Sequence, residues 1–258
     1  MPIKPYTRNK DGVAFRCMQT ACNNYKKYIS IKVGSIFEKY RFHLKVGIQL
    51  LWKWSIDAKD TDIKKEIDVD KKVLIDFYDD LRKCCVSYFK TNPCKLGGDG
   101  IICQIDESLF RHKPKYHKGR ATDHEIWVFG IADTSYEPSK IYLEIVDNRS
   151  ASTLLPIVQR ICRNGTIIIS DQWKAYNKIE KLGFHHLTVN HSLNFVDPIT
   201  VAHTQSIESY WAKVKYRIKI KKGVLGDKMD LYLNEWMWKD NILNGDWINL
   251  LNLIKMYW

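Results

Sequence analysis

Three acidic side chains stand where chemistry on phosphate esters would need them. Asp106 lies in Gln104-Ile105-Asp106-Glu107-Ser108, Asp171 in Ile169-Ser170-Asp171-Gln172-Trp173, and Glu208 in Ser206-Ile207-Glu208-Ser209-Tyr210-Trp211. The first two follow apolar, strand-like runs, Ile101–Ile105 and Thr166–Ser170. A carboxylate on a buried strand is costly unless it meets a cation or another partner. The end of a strand is also where α/β sheets put ligand-binding residues. Glu208 falls on a helix-like segment whose Ile207, Trp211 and Val214 would face inward. Lys215 comes two helical turns after Glu208, so both project from one face. Carboxylates from two strands and a helix, converging on one point, are what a two-metal phosphoryl-transfer site needs. Each residue has a plainer reading. Asp171 could cap the helix that follows it, and Glu208 with Lys215 could form a solvated helix face. Singly, the plainer readings are preferred; together, with the strand order and the charge, the catalytic reading is.

The elements that would position these residues follow from the apolar pattern. Strands are expected at Ile101–Ile105, Glu125–Ala132 and Lys140–Val146. A helix at Ser152–Cys162 leads to a strand at Gly165–Ser170, a helix at Gln172–Leu182, a short strand at His186–Val189 and a helix-rich region from 204 to 258. Three antiparallel strands followed by βαβ-type units give a mixed sheet with helices on both faces. That is the order of a ribonuclease-H-like α/β domain, assigned to residues 98–222. Ahead of it, the Ser30–Phe37 run reads as strand and turn within residues 1–40. Residues 43–56 carry apolar positions at helical spacing. Two short helices are expected in 60–90, the second capped by Asp70 with Val73, Leu74, Phe77, Tyr78 and Leu81 on its apolar face. Residues 41–92 thus form a helical, helix-turn-helix-like region; a plain helical hairpin would read the same way. Thr91–Gly100 is the best linker candidate, and residues 223–258 form a helical C-terminal extension.

The chain is basic: 41 Lys and Arg against 29 Asp and Glu give a net charge of +12. A surplus of this kind points to a polyanionic partner or to a surface kept soluble. Its clustering favours the partner. Lys213, Lys215, Arg217, Lys219, Lys221 and Lys222 are interleaved with Val214, Tyr216, Ile218 and Ile220, so basic side chains can lie on phosphates while the apolar side packs. Seven cysteines, an odd number, do not suggest a secreted disulfide framework. No leader-like segment opens the chain, and no apolar run approaches the roughly 20 residues of a membrane span. The expectation is a reduced intracellular protein without a membrane partner, nuclear in a eukaryotic host and otherwise in the cytoplasm or nucleoid.

At these residues the chain resembles the Merlin superfamily of cut-and-paste DDE transposases and their bacterial insertion-sequence relatives. The likeness runs through Phe15-Arg16-Cys17, Gly34-Ser35-Ile36-Phe37, Val73–Arg82, and Gly97-Gly98-Asp99-Gly100 leading into Ile105–Phe110. It continues through Trp127-Val128-Phe129-Gly130, Ser170–Tyr176, Val189–Ser192 and Phe195–Pro198. Its most specific stretches are Ala202–Trp211 and Tyr232–Trp238. The resemblance implies that Asp106, Asp171 and Glu208 form a metal-binding triad for two Mg²⁺ (or Mn²⁺) ions. It makes Lys215 a phosphate-contacting lysine, with Lys213, Arg217 and Lys219 beside it on DNA. His191 and His203 would lie near the site; a packed or hydrogen-bonded role is the other reading. The partners implied are the double-stranded DNA of transposon ends and of a target, with a homodimer or larger assembly holding two ends. The chain departs from the pattern in two places. Cys17 and Cys22 are spaced by four residues with no second pair before them, too few thiolates to close a tetrahedral site, so a structural zinc is not expected. Val201 stands where relatives commonly carry glycine.

The activity expected is metal-dependent cleavage of a phosphodiester at terminal inverted repeats, followed by attack of the freed 3′-hydroxyl on target DNA. The alternatives are a transposase-derived DNA-binding protein without catalysis and a metal-dependent nuclease of the same fold.

Overall fold

A computed structural model describes residues 1–111, 125–190, 197 and 202–257. The chain divides into two units, residues 1–88 with 243–258, and residues 89–242.

The second unit holds a five-stranded sheet: β4 (Ile102–Arg111), β5 (Ile126–Asp133), β6 (Lys140–Val146), β7 (Ile167–Asp171) and β8 (His185–Val189), in the order β6-β5-β4-β7-β8. β5 pairs antiparallel with both β4 and β6, while β7 pairs in parallel with both β4 and β8. This is the ribonuclease-H-like order: a three-strand meander extended on the β4 side by parallel strands that need crossovers. The first crossover is α4 (Ala151–Ile161). Helix α4 covers one face of the sheet, where Leu154, Val158 and Ile161 pack with Ile105, Phe129, Ile131 and Ile168. The other face is covered by α5 (Gln205–Ile220) and α6 (Met229–Trp238). There Ile207, Trp211 and Val214 meet Val128, Ala132, Ile141, Leu143 and Trp236. Both layers obey the period-two rule, since 105, 129 and 131 face α4 whereas 128 and 132 face α5.

Two expectations need correction here. Strand β4 runs on to Arg111, so Asp106 sits in mid-strand, not at its end. The helix expected over Gln172–Leu182 is two short 3₁₀ turns, Lys174–Tyr176 and Glu180–Leu182. The Asp171 Oδ1 accepts the Trp173 N–H at 2.9 Å, but Trp173 stays extended, at φ −65° and ψ 130°, so the turns begin only at Lys174. Ala175, Tyr176 and Ile179 are then drawn into the α4 layer, and Gly183, at φ 86°, ends the segment in a left-handed turn.

The first unit carries a small antiparallel sheet of β1 (Ile3–Pro5), β2 (Val13–Arg16) and β3 (Tyr28–Ser30). Of the Ser30–Phe37 run, read as strand and turn, Ser30 ends β3 and the rest is turn. Beyond it, polar contacts favour turns: the Ser35 hydroxyl donates to the Lys32 carbonyl, and the Gly34 N–H, at φ 67°, donates to Glu38. The Lys32 ammonium is itself buried, donating to the Tyr40 and Phe42 carbonyls at 2.8 and 2.9 Å. Helices α1 (Leu44–Ser55), α2 (Asp60–Glu66) and α3 (Lys71–Thr91) follow, and α7 (Trp247–Tyr257) belongs to the same unit. Asp70 caps α3, accepting the Lys72 N–H at 2.7 Å. α3 is a single 21-residue helix, not a short one. Its Phe77 packs in an aromatic cluster with Phe37, Tyr40 and Phe42. No helix among the described residues is long and apolar enough to cross a membrane.

Candidate active site

The sheet register sets Asp106 and Asp171 on neighbouring strands. In the parallel pairing of β4 with β7, Gln104 lies opposite Ile169. Two residues further along both strands stand Asp106 and Asp171. Across β5, Asp106 lies opposite Gly130, and α5 passes over this point with Glu208 in its first turn. Burial pushes the Asp106 carboxyl up to about 6, and the negative charges of Asp171 and Glu208 add to the shift. The N–H of Trp211 opposes it, donating to Asp106 Oδ2 at 2.9 Å. Asp106 on β4 therefore feels the charge of Asp171 on β7 and of Glu208 on α5.

Glycine at position 130 makes that geometry available. A Cβ there would lie 2.5 Å from the Trp211 ring and 2.8 Å from Ile207. The missing side chain lets α5 close onto the sheet and lets the Trp211 indole reach Asp106. Phe110 meets the Trp211 ring edge-on at 5.6 Å, fixing it from the side.

Gln104 fixes the helix lengthwise. It shares the α5 face of β4 with Asp106 and is buried. Its Oε1 accepts the N–H groups of Ser206 and Ile207 at 2.8 and 3.2 Å, and its Nε2 lies 3.2 Å from His203 Nδ1. One side chain on β4 thus takes two of the orphan donors at the start of α5, just ahead of Glu208. At the same end, the Thr204 hydroxyl donates to Glu208 Oε1 at 2.6 Å. Of the two histidines, His203 contacts Gln104, and His191 lies outside the described residues. Changing Gln104→Leu keeps the volume but leaves those donors without their acceptor. We expect a loss of about 2 kcal/mol in stability and a fall in turnover larger than the fall in DNA affinity. Kinetics in which DNA affinity falls as much as turnover would sink this positioning role.

A fourth carboxyl, Glu107, points to the α4 face. Burial raises it to about 7 despite the Tyr176 hydroxyl, which donates to it at 2.5 Å. Neither Gln104 nor Glu107 stood out in the sequence reading. The available signal was Gln104-x-Asp106, two polar residues on one face of an otherwise apolar strand.

The predicted cations divide into two sets. On α5, Lys215 and Lys219 lie close to the angular position of Glu208 at 100° per residue. Both are exposed, with the Lys215 ammonium 5.9 Å from the Phe110 ring centre. Arg217 and Lys213 lie on another line and reach Asp240. Arg217 makes a two-pronged ion pair with it at 2.7 and 2.9 Å, and Lys213 approaches it at 3.0 Å. Burial pushes the Asp240 carboxyl up, but these contacts and the Tyr210 hydroxyl outweigh it and hold Asp240 below the usual carboxylate range. Arg217 is mostly buried in this pair, so it braces α5 inside the fold.

Hard carboxylate oxygens suit Mg²⁺ or Mn²⁺, and a partly buried Asp106 with two negative neighbours would gain from a cation. In kind, then, the donors fit. In arrangement, no group of three or more His, Cys, Asp or Glu among the described residues is drawn together to hold a metal ion. In the N-terminal hairpin, Cys17 and Cys22 are free thiols. The Cys22 thiol is lowered by the backbone N–H of Asn24 and by Cys17.

Several known proteins are similar to this chain. A relative from Haemophilus influenzae (strain ATCC 51907 / DSM 11121 / KW20 / Rd), described as an uncharacterized transposase-like protein, is 28% identical over 116 residues. That match covers 45% of this chain and 91% of the relative. Among solved structures, a simian T-cell lymphotropic virus intasome in complex with PP2A regulatory subunit B56 gamma matches 76% of this chain and 69% of its own, at 15% identity and a TM-score of 0.37. The Mos1 strand transfer complex matches 69% and 58%, at 11% identity and a TM-score of 0.33. The family model described as ISXO2-like transposase domain matches residues 96–241. That span covers more than half of the chain and takes in Asp106, Asp171 and Glu208, and the chain belongs to this family of DDE transposases.

Proposed function

We propose that this protein cuts and joins DNA at the ends of a mobile element, with Asp106, Asp171 and Glu208 as its metal-binding triad. The observation that carries the reading is the position of Asp106 and Asp171 two residues beyond the Gln104–Ile169 pair, with α5 above, where Asp106 feels the charge of Asp171 and Glu208. A bound Mg²⁺ or Mn²⁺ pair would supply an activated water or 3′-hydroxyl and stabilise the leaving oxygen. The chain's own residues set the stage for that chemistry. Trp211 orients Asp106, Thr204 orients Glu208, and Gln104 keeps strand and helix in register. Lys215 and Lys219 extend the Glu208 face as phosphate contacts that position a DNA backbone without reading its sequence. Residues 98–222 form the catalytic domain. Residues 41–92, with α2 and α3 in a helix-turn-helix-like order, recognise the element's ends. Two ends held at once need at least two copies of the chain.

The test is a cleavage and joining assay on DNA bearing the element's terminal inverted repeats, with Mg²⁺ or Mn²⁺. Asp106→Ala, Asp171→Ala and Glu208→Ala should each lower cutting by at least about 100-fold while leaving DNA binding in place. Lys215→Ala should weaken binding uniformly and reduce the salt slope by about 1. Any triad variant that cuts normally removes that residue from the site. One observation favours a second reading, a transposase-derived DNA-binding protein without catalysis: no metal-holding group is drawn together among the described residues. Repeat-specific binding without cutting, in either metal, would establish it.

A further inference from the structure

We propose that the outer face of Trp173 is a stacking site for an unpaired nucleobase at a DNA end, with Arg149 as its support; this rests on the DNA-cutting role proposed above. Trp173 is 40% exposed, yet its ring is fixed on several sides. The Nε1–H donates to the Arg149 carbonyl at 3.2 Å. The Arg149 guanidinium lies 4.9 Å from the Trp173 ring centre and 3.9 Å from that of Trp127. A cation is therefore held between two indoles. The backbone N–H of Trp173 donates to Asp171 Oδ1, which ties the ring to a carboxylate of the cutting site.

These contacts specify a ligand chemistry. An exposed but rigid aromatic face loses little entropy when something stacks on it. Any base offers a π-face, so the platform is tolerant of sequence, and the arginine beneath adds cation–π attraction and positive charge for the adjoining phosphate. A base inside a duplex is stacked on both sides and shows only its edges in the grooves. The occupant must therefore be unpaired, as at a frayed or freshly cut end. The position beside Asp171 places such a base next to the phosphodiester that the triad would act on.

The test is binding of the full-length protein in EDTA, where cutting does not intervene, to labelled duplexes differing only at one end. One is blunt, one carries two unpaired nucleotides, and one carries the same two nucleotides without bases. The wild-type protein should prefer the unpaired end over the blunt end by about tenfold and lose that preference when the bases are absent. Trp173→Ala should remove the preference without changing blunt-end affinity, and Trp173→Phe should keep most of it. Equal binding of the base-bearing and base-free ends by the wild-type protein overturns the proposal without any variant. A preference that survives Trp173→Ala overturns it as well. A base-dependent preference in a protein that never cuts would uphold the stacking site and defeat the cutting role, and cutting without the preference would do the reverse.

Discussion

Asp106→Asn should make the protein melt at higher temperature while abolishing cleavage. The folded state holds the Asp106 carboxyl at about 6, against an ordinary value of 3.8, chiefly through burial and then through its carboxylate neighbours. Between those values the folded protein binds a proton that the unfolded chain has released. Stability therefore falls as pH rises through roughly 4 to 6, and above that window the full cost of about 3 kcal/mol is present. Asparagine keeps an oxygen for the Trp211 N–H and carries no charge. We expect a gain of about 2 kcal/mol at neutral pH, a rise of roughly 5 °C in melting temperature, and a shallower decline of stability between pH 4 and 6. Glu107, raised to about 7, leaves a residual slope in both proteins. Added Mg²⁺ or Mn²⁺ should raise the melting temperature of the wild type and do little for the variant, since ligand binding to the folded state stabilises it by mass action. A variant that melts lower than the wild type, with the same pH profile, would show that Asp106 is not under electrostatic strain.

Gly130→Ala should be among the most damaging single-methyl changes in the chain. The added Cβ would sit 2.5 and 2.6 Å from two carbons of Trp211 and 2.8 Å from Ile207. Both residues are on α5, buried against the sheet, and cannot swing into solvent. Overpacking of this kind costs about 3 kcal/mol, a drop of roughly 5–10 °C in melting temperature. The function should suffer beyond the loss of stability. A displaced Trp211 withdraws the N–H from Asp106 and lifts α5, with Glu208, away from the sheet. A second change, Trp211→Leu, should recover much of the stability by making room and recover none of the cutting. If Gly130→Ala folds as stably as the wild type, α5 does not approach the sheet this closely.

The apolar runs made β5, β6, β7 and α4 readable to within a residue or two, because each is either wholly buried or buried on one face. Asp106 and Asp171 were visible for the converse reason: charge on apolar strands is conspicuous. What escaped detection depended on contacts between distant residues. Gln104 looks like any polar residue until α5 arrives to be capped by it. Arg217 belongs to a run of cations in sequence, and only the approach of Asp240 removes it from that run. The expected helix at Gln172–Leu182 is broken into two 3₁₀ turns whose Ala175, Tyr176 and Ile179 pack in the α4 layer, a tertiary contact with no local pattern. The grouping of α7 with the N-terminal unit rests on chain return, and contacts such as that of Trp52 with Trp247 leave no local pattern.

Strand β4 alternates between two destinations. Gln104 and Asp106 turn to α5, while Cys103, Ile105 and Glu107 turn to the α4 side. Function at this strand is thus a matter of parity. Loss of one codon ahead of Gln104 would send Ile105 and Glu107 to the α5 side and bury Asp106 among the apolar residues of the other layer. The amino-acid composition would hardly change, yet the site would be gone. Copies of such a gene that decay by single-codon deletion in this stretch should fall silent abruptly, whereas the same lesion in the exposed turn at 135–139, between β5 and β6, leaves both strands in phase.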